Sequence, residues 1–455
     1  MSRVLLIRPL CEGDEPELAE PLGIERLAGY LRIHGVTDVR VFDHRLYQRE
    51  RRLGASVRSF WSDVREAFGD AAPDVVGLSL MTSADVPDAL RIISRARALW
   101  PHARYVAGGL YVTTSMDEAR VRLPSVVGLL AGEGERALLE VVTGRSSASS
   151  EPLAPDEWAP AFRPDVARYA ALGCAVNLQT SRGCPGRCAF CATPGLPAGL
   201  GRWQPRDLSL VVDEMAHEAA HLEAAGLPPV FNFVDDDFGP LSRVEALAAL
   251  LERRCLRVAF ALEMRLASLI GQPDLSLRLK RLHRAGLTRI FVGVESLDSR
   301  TLRRWHKPYD VRALPDVLAS LAEAGISVQA GYILWHADQT VEGALAEVRE
   351  LRRLGIYSHR VALSRLIVFA GCELYGDNCD GWGFQRMGPE EEERYQRLLG
   401  ASEGLASAWT AAAIAKPHEA AVAFLTGDDE RLRRLHQELT EVNERSYQLF
   451  EQVMS

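Results

Sequence analysis

No stretch of eighteen apolar residues occurs in this 455-residue chain, so it offers no helix able to span a bilayer. Positive charge is not in excess either. The 53 Lys and Arg residues against 61 Asp and Glu leave a formal net charge of −8, which argues against nucleic acid as the main partner. The one basic run, QRERRLG at 48–54, reads as a solvated helix face. The opening MSRVLLIRPLCEGDE lacks the long apolar core of a signal peptide, so a reducing, cytoplasmic setting without membrane attachment is expected. A hydrophobic share of 47% with 25% charged residues is that of an ordinary globular protein. The length suggests about three domains of ~150 residues each, and no internal repeat is visible.

Cysteine is scarce, eight residues in all, yet three of them fall within eight positions in SRGCPGRCAFC: Cys184, Cys188 and Cys191. A cysteine is ordinarily a small buried hydrophobe, but Arg182, Gly183, Pro185, Gly186 and Arg187 make this a polar, turn-rich loop. A disulfide would leave one thiol over and suits a secreted chain. Tetrahedral zinc needs a fourth ligand and usually shows paired CxxC motifs. Three thiolates on one tight loop fit a cubane iron–sulfur cluster with one iron left open, with Arg182 and Arg187 helping to stabilise the thiolates.

Upstream, short apolar strands alternate with helical stretches: RVLLIR, DVRVFD, DVVGLSL, RYVAGGL and VVGLLAG, with GIERLAGYLRIHG as the first helix. That alternation predicts a doubly wound, Rossmann-like parallel sheet over 1–142, with ligands at the carboxyl ends of its strands. Ser79, Thr82, Gly108, Gly109, Gly132 and Glu133 sit at those ends. Each is weak alone, since a glycine after a strand is often only a turn. A Ser/Pro-rich stretch, TGRSSASSEPLAP, marks a linker over 143–172. Strands recur over 173–380 (AVNLQT, VFNFVDDDF, RVAFALEMR, RIFVGVES, VQAGYILW, RVALSRLIVF), predicting a partial (β/α)6 barrel whose site lies at the strands' carboxyl ends. From 381 to 455 the pattern is helical and polar, a cap or tail.

With Phe190 before its last cysteine, Cys184-x3-Cys188-x2-Cys191 resembles the motif of radical S-adenosylmethionine enzymes. The order of Rossmann-like domain, linker and cysteine loop resembles the subgroup with an N-terminal cobalamin-binding domain. EPLGIERLAGYLRIHG, AGGLYVTT and LLAGEGERALLEV resemble that subgroup's first helix and last two strand-end loops. The resemblance implies a [4Fe-4S] cluster on the three cysteines and S-adenosylmethionine at its open iron. One-electron cleavage of that cofactor then gives a 5′-deoxyadenosyl radical able to take hydrogen from unactivated carbon. It further implies a small-molecule substrate and an external electron donor, either flavodoxin- or ferredoxin-like or another reductase.

Carried over by position, Phe190 packs against adenine, although a core aromatic would look the same. Asp235 and Asp236, followed by Asp237, form a polar edge near the cofactor, one or two of them serving equally as helix caps. Glu263 and Arg265 alternate on one strand and so share a face; two charges inside a barrel are costly unless paired or ligand-bound. Glu295 matches the family's strand carboxylate or amide, and Lys307 a base reaching the cofactor carboxylate, against the plain alternative of a surface lysine. Where many relatives have Gly-x-Pro-Gly-Glu-Thr, this chain has Trp335-His336-Ala337-Asp338-Gln339-Thr340, so Tyr332, Trp335 and His336 are expected to wall the substrate side, His336 as a proton relay or a satisfied core residue.

Three activities are compatible with this pattern. The first is cobalamin-dependent methylation of a carbon in a small, secondary metabolite, as in antibiotic biosynthesis. The Asp-x-His-x-x-Gly loop that supplies a lower cobalt ligand elsewhere is missing, Asp43-His44-Arg45 being the nearest string. The second is deoxygenation, dehydration, epimerisation or oxidation of a sugar-like metabolite with S-adenosylmethionine alone and an empty N-terminal domain. The third, a non-catalytic iron–sulfur or cobalamin carrier, is disfavoured by the polar strand ends.

Overall fold

The computed structural model describes residues 2–10, 18–52, 59–69, 71–145, 152–196, 199–307, 309–368, 371–376, 379 and 384–454, without the side chains of 406–416. The Ser-rich stretch 146–151 of the expected linker lies outside them. The chain forms two compact units: Met1–Tyr169 with Leu196–Leu200, and Ala170–Gly195 with Gly201–Ser455. No helix among the described residues is long and apolar enough to cross a membrane.

Unit 1 is a five-stranded parallel sheet of β1 Val4–Arg8, β2 Val39–Asp43, β3 Val75–Ser79, β4 Arg104–Gly108 and β5 Gly128–Leu130, in the order β2-β1-β3-β4-β5. β1 is apolar from Val4 to Ile7 because both of its faces are covered. Leu5 and Ile7 pack on one side with the helices Phe60–Phe68 and Val86–Leu99; Val4 and Leu6 pack on the other with Leu22–Ile33 and Gly134–Thr143. Each such side chain contributes roughly 1.5–3 kcal/mol. Strand order reverses between β1 and β3, placing a ligand crevice at their carboxyl ends.

Unit 2 holds a second parallel sheet of β6 Val176–Leu178, β7 Val230–Phe233, β8 Ala259–Arg265, β9 Leu287–Glu295 and β10 Ser327–Tyr332, in sequential order. Helices between the strands cover its outer face, where Phe260, Leu262, Met264, Ile290 and Val292 are buried. The sixth expected strand, RVALSRLIVF, is corrected by the structure. The Ser358 hydroxyl accepts from Val361 N and starts a helical turn, His359–Ala362, so the strand shrinks to a parallel bridge between Trp335 and Arg365. The C-terminal region is helical as expected: Pro389–Thr426 and Asp429–Met454, with Gly427 left-handed between them. The first of these helices packs Ala421 on Val230 and Ala259 at the amino ends of the strands.

Candidate active site

The cysteine loop leaves β6 through Thr180 and Ser181, and buried Asp235 ties it down. That carboxylate accepts from Thr180 N (2.8 Å), Thr180 Oγ1 (3.1 Å), Ser181 Oγ (2.9 Å) and Ser181 N. Burial lifts its pKa to about 6 against those bonds, so at neutral pH it remains ionised and receives all four. Asp235 therefore holds the loop in place. Gly183 allows the next step: its φ is +70°, and a Cβ there would collide with the Arg202 carbonyl beside the Cys184 N to Gly201 O bond (3.1 Å).

Cys191 N donates to Cys188 O (3.1 Å), closing a turn, while Gly186 N and Thr193 N point at the sulfurs of Cys184 (3.3 Å) and Cys191 (3.4 Å). Burial raises the Cys184 thiol to about 11 and also raises that of Cys188, so metal must displace protons here. The cations that oppose this are Arg265 at Cys184, and Lys307 and then Arg265 at Cys188. Among the described residues no three His, Cys, Asp or Glu groups converge on a single-ion site.

Two ion pairs flank the loop. Arg265 Nε meets Asp237 Oδ2 at 2.8 Å, and Lys307 Nζ meets Glu295 Oε1 at 3.0 Å. Lys307 is only 9% exposed and thus no surface lysine; burial lowers its pKa, but Glu295 and Cys188 outweigh that and hold it raised. Glu295 has φ +63°, a strained conformation for a side-chain-bearing residue, at the carboxyl end of β9. At Glu263, burial and then neighbouring Asp236 lift the carboxyl to about 7, with Arg289 opposing. Burial also raises Asp236. Phe190 stacks edge-on against Trp305 (5.4 Å between ring centres), which does the same against His336 (5.0 Å).

The structure thus gathers Cys184, Cys188, Cys191, Phe190, Arg265, Glu295 and Lys307, with Glu263 beside Asp236 and His336 one ring further away. Tyr332 and Trp335 turn elsewhere. Tyr332 Oη donates to Glu347 of the helix Val341–Arg353 and accepts from Leu297 N (3.0 Å). Trp335 is fully buried against Tyr395 and Phe450, its Nε1 donating to Ala362 O (2.8 Å). Both are core residues. His336 is 4% exposed and burial lowers it to about 4, so it is neutral at physiological pH and packs as an aromatic. Residues not foreseen are Trp305 and Cys372, whose thiol donates to Phe190 O (3.3 Å). Trp305 stands two positions before Lys307, where an aromatic beside a charged cluster was the available signal.

In unit 1 the last residues of adjacent strands line up, Ser79 opposite Gly108 and Gly108 opposite Leu130, giving one continuous edge. Met81, beyond β3, is 44% exposed, whereas a Cβ on Gly132 would come within 3.1 Å of the Leu200 side chain. Several strand-end residues nevertheless have internal tasks. Thr82 N donates to Asp85 (3.0 Å), Gly132 N to Thr113 Oγ1 (2.9 Å), and Glu133 Oε2 accepts from Leu153 N (2.6 Å). A Cβ on Gly109, at φ +102°, would collide with the Leu80 carbonyl, so this glycine is demanded by the fold. Gly109→Ala is accordingly expected to lower the thermal midpoint by about 5 °C or more, cobalamin present or absent. An unchanged melting curve would contradict that. His44 Nδ1 bonds Asp88 Oδ2 (2.8 Å), while Asp43 receives Arg45 N (2.9 Å) and Tyr169 Oη (2.7 Å).

Known proteins share this arrangement. The sequence model of the Radical SAM superfamily matches residues 178–354, and that of the B12 binding domain matches 16–142. An uncharacterized methyltransferase of Pyrococcus horikoshii is 24% identical over 388 residues, covering 78% of this chain and 79% of the relative. The anaerobic magnesium-protoporphyrin IX monomethyl ester cyclase of Rubrivivax gelatinosus is 25% identical, covering 77% of this chain; the match spans 65% of the relative, just under two thirds. Among solved structures, the cobalamin-dependent S-adenosylmethionine radical enzyme OxsB with aqua-cobalamin bound superposes with a TM-score of 0.72 at 15% identity, over 99% of this chain and 72% of that one. The radical SAM domain implies a [4Fe-4S] cluster and S-adenosylmethionine, for which the cysteine loop and its flanking pairs are suited. The chain thus carries a radical SAM domain over 178–354 that follows a B12-binding domain over 16–142, an arrangement consistent with an enzyme.

Proposed function

We propose that the protein is a cobalamin-dependent radical methyltransferase acting on an unactivated carbon of a small metabolite. The observation that carries this reading is the half-buried three-thiol loop, flanked by Arg265–Asp237 and Lys307–Glu295, in a chain that also has a B12-binding domain. The methyltransferase of Pyrococcus horikoshii supports it. When bound, the cluster and S-adenosylmethionine supply the 5′-deoxyadenosyl radical, and cobalamin supplies the methyl group. Cys184, Cys188 and Cys191 hold the cluster. Lys307 and Arg265 offer N–H donors to the carboxylate of S-adenosylmethionine, and Glu263 an acceptor for its cationic side.

The assignment of Glu263 has a pH signature. With its pKa at about 7, the carboxyl is neutral below that value and charged above it. Binding of the cationic S-adenosylmethionine is expected to tighten about fivefold between pH 6 and 8, corresponding to roughly one pKa unit of coupling. In Glu263→Gln the affinity should be weaker and flat with pH, at unchanged iron content. A flat profile in the wild type contradicts this role.

A second reading, radical chemistry with S-adenosylmethionine alone, is favoured by Gly109, Thr82 and Glu133, all engaged within unit 1. Anaerobic purification with hydroxocobalamin, followed by a visible spectrum and cobalt count, separates the two. About one cobalt per chain supports methylation; no uptake by folded, iron-loaded protein leaves the second reading.

A further inference from the structure

The pairing of β9 with β10 slips by one residue at Val294. Gly293 stands opposite Gly331 and Glu295 opposite Tyr332, which leaves Val294 between them without a partner in the ladder. A bulge of this kind re-aims the side chain beside it and is common next to active sites. Here the side chain is that of Glu295, whose φ is +63°. A Cβ on Gly293 would come within 2.7 Å of Glu295 Oε1 and 3.1 Å of Lys307 Nζ. The turn thus carries the carboxylate back over Gly293, where it meets the ammonium at 3.0 Å. Lys307 Nζ in its turn stands 5.9 Å from the centre of the Phe190 ring.

A residue other than glycine keeps a left-handed backbone only where its surroundings enforce it. Two tyrosine hydroxyls do so here. Tyr309 Oη donates to Val294 O, the carbonyl of the bulged residue, to which Ser296 N also donates (2.8 Å). Tyr332 Oη accepts from Leu297 N (3.0 Å), and Ile333 N donates to Glu295 O (2.9 Å). Tyr309 is in addition tied to the backbone of the lysine, its N donating to Lys307 O (2.9 Å). Burial, and then the charge of Glu295, raise the Tyr309 hydroxyl above its ordinary value, so it stays protonated and donates. One loop therefore supplies both the ammonium and the hydroxyl that aims its partner.

We propose that Tyr309 is a positioning residue, whose hydroxyl holds the bulge at Val294 so that Glu295 fixes Lys307 where it can take the carboxylate of S-adenosylmethionine. The last clause rests on the assignment of Lys307 to that carboxylate; the hold on the turn does not. Amide hydrogen exchange and equilibrium binding of S-adenosylmethionine, both on the anaerobically reconstituted full chain, test the two halves. In Tyr309→Phe the amides of Ser296, Leu297 and Ile333 should exchange about fivefold faster or more, the effect of one lost hydrogen bond, while those of Ile290 and Val292 stay as in wild type. Affinity for S-adenosylmethionine should fall about threefold at unchanged iron content. Glu295→Gln should weaken it about tenfold, since a charge-assisted bond is lost. Adding Tyr309→Phe to Glu295→Gln should bring no further loss, because Tyr309 acts through Glu295. Tyr105→Phe, which loses a like bond to Trp100 O (3.0 Å) in unit 1, should match wild type in both readings. If Tyr309→Phe does not fold, Tyr332→Phe, which removes the other hydroxyl, carries the test. Unchanged exchange at 296–297 overturns the proposal. So does faster exchange with unchanged affinity, or a loss that adds in full to that of Glu295→Gln. Wild type that binds S-adenosylmethionine without cleaving it counts against the radical function alone. Wild type that does not bind it counts against the cofactor reading, and the exchange rates then decide the hold on the turn.

Discussion

Replacing any one of Cys184, Cys188 and Cys191 by alanine should take the iron content from about four per chain to near zero, or leave a labile cluster, and abolish cleavage of S-adenosylmethionine. The effect should be nearly complete because the three thiols sit on one short loop whose neighbouring N–H groups and cations are arranged around them. The scattered Cys255, which is exposed, provides the contrast: Cys255→Ala should keep iron and activity. The check is iron and sulfide analysis with the visible spectrum, alongside chromatography of 5′-deoxyadenosine. A single-alanine variant with a full cluster and undiminished cleavage would contradict the ligand assignment.

Nearly as large an effect is expected at Asp235, which touches no sulfur. Asp235→Ala removes the acceptor for two backbone N–H groups and two hydroxyls in a buried place. Leaving such donors unsatisfied costs at least about 3 kcal/mol, or about 10 °C in the melting point of unit 2. The cysteine loop should loosen with it, so iron occupancy falls although every ligand remains. Asp207→Ala is the control. Asp207 caps the helix Leu208–Ala224 through Ser209 N (2.7 Å) at an exposed position, and its loss should cost about 1 kcal/mol without loss of iron. Calorimetry and iron analysis on both variants decide it. Equal effects, or an iron-replete Asp235→Ala protein, would show that Asp235 does not anchor the loop.

The contrast between these two kinds of residue explains what can be read from the sequence. The cysteine loop is local: spacing, turn residues and Phe190 all lie within a dozen positions, so the motif is legible without a fold. The parallel sheets are legible for a similar reason, since β1 announces burial on both faces by an unbroken apolar run. Partnerships across the chain are not. Arg265 shares a strand face with Glu263, yet its carboxylate partner is Asp237, delivered by the loop after the neighbouring strand, 28 residues earlier. Tyr332 and Trp335 fall at the right strand end, but which way they point depends on register. The irregularity between Gly293 and Glu295 sets Tyr332 opposite Glu295, and the C-terminal helices bring Tyr395 and Phe450 to cover Trp335. Gly109 shows the same limit, since its closeness to the Leu80 carbonyl, which a Cβ would meet, comes from a strand far away in sequence.

The most direct test of the account as a whole is the quantity of 5′-deoxyadenosine formed by the anaerobically reconstituted full chain, loaded with hydroxocobalamin and given S-adenosylmethionine and dithionite. The account predicts 5′-deoxyadenosine from the wild type and none above background from the Cys184→Ala/Cys188→Ala/Cys191→Ala variant. Equal amounts from the two proteins, or none from an iron-replete wild type, would contradict it.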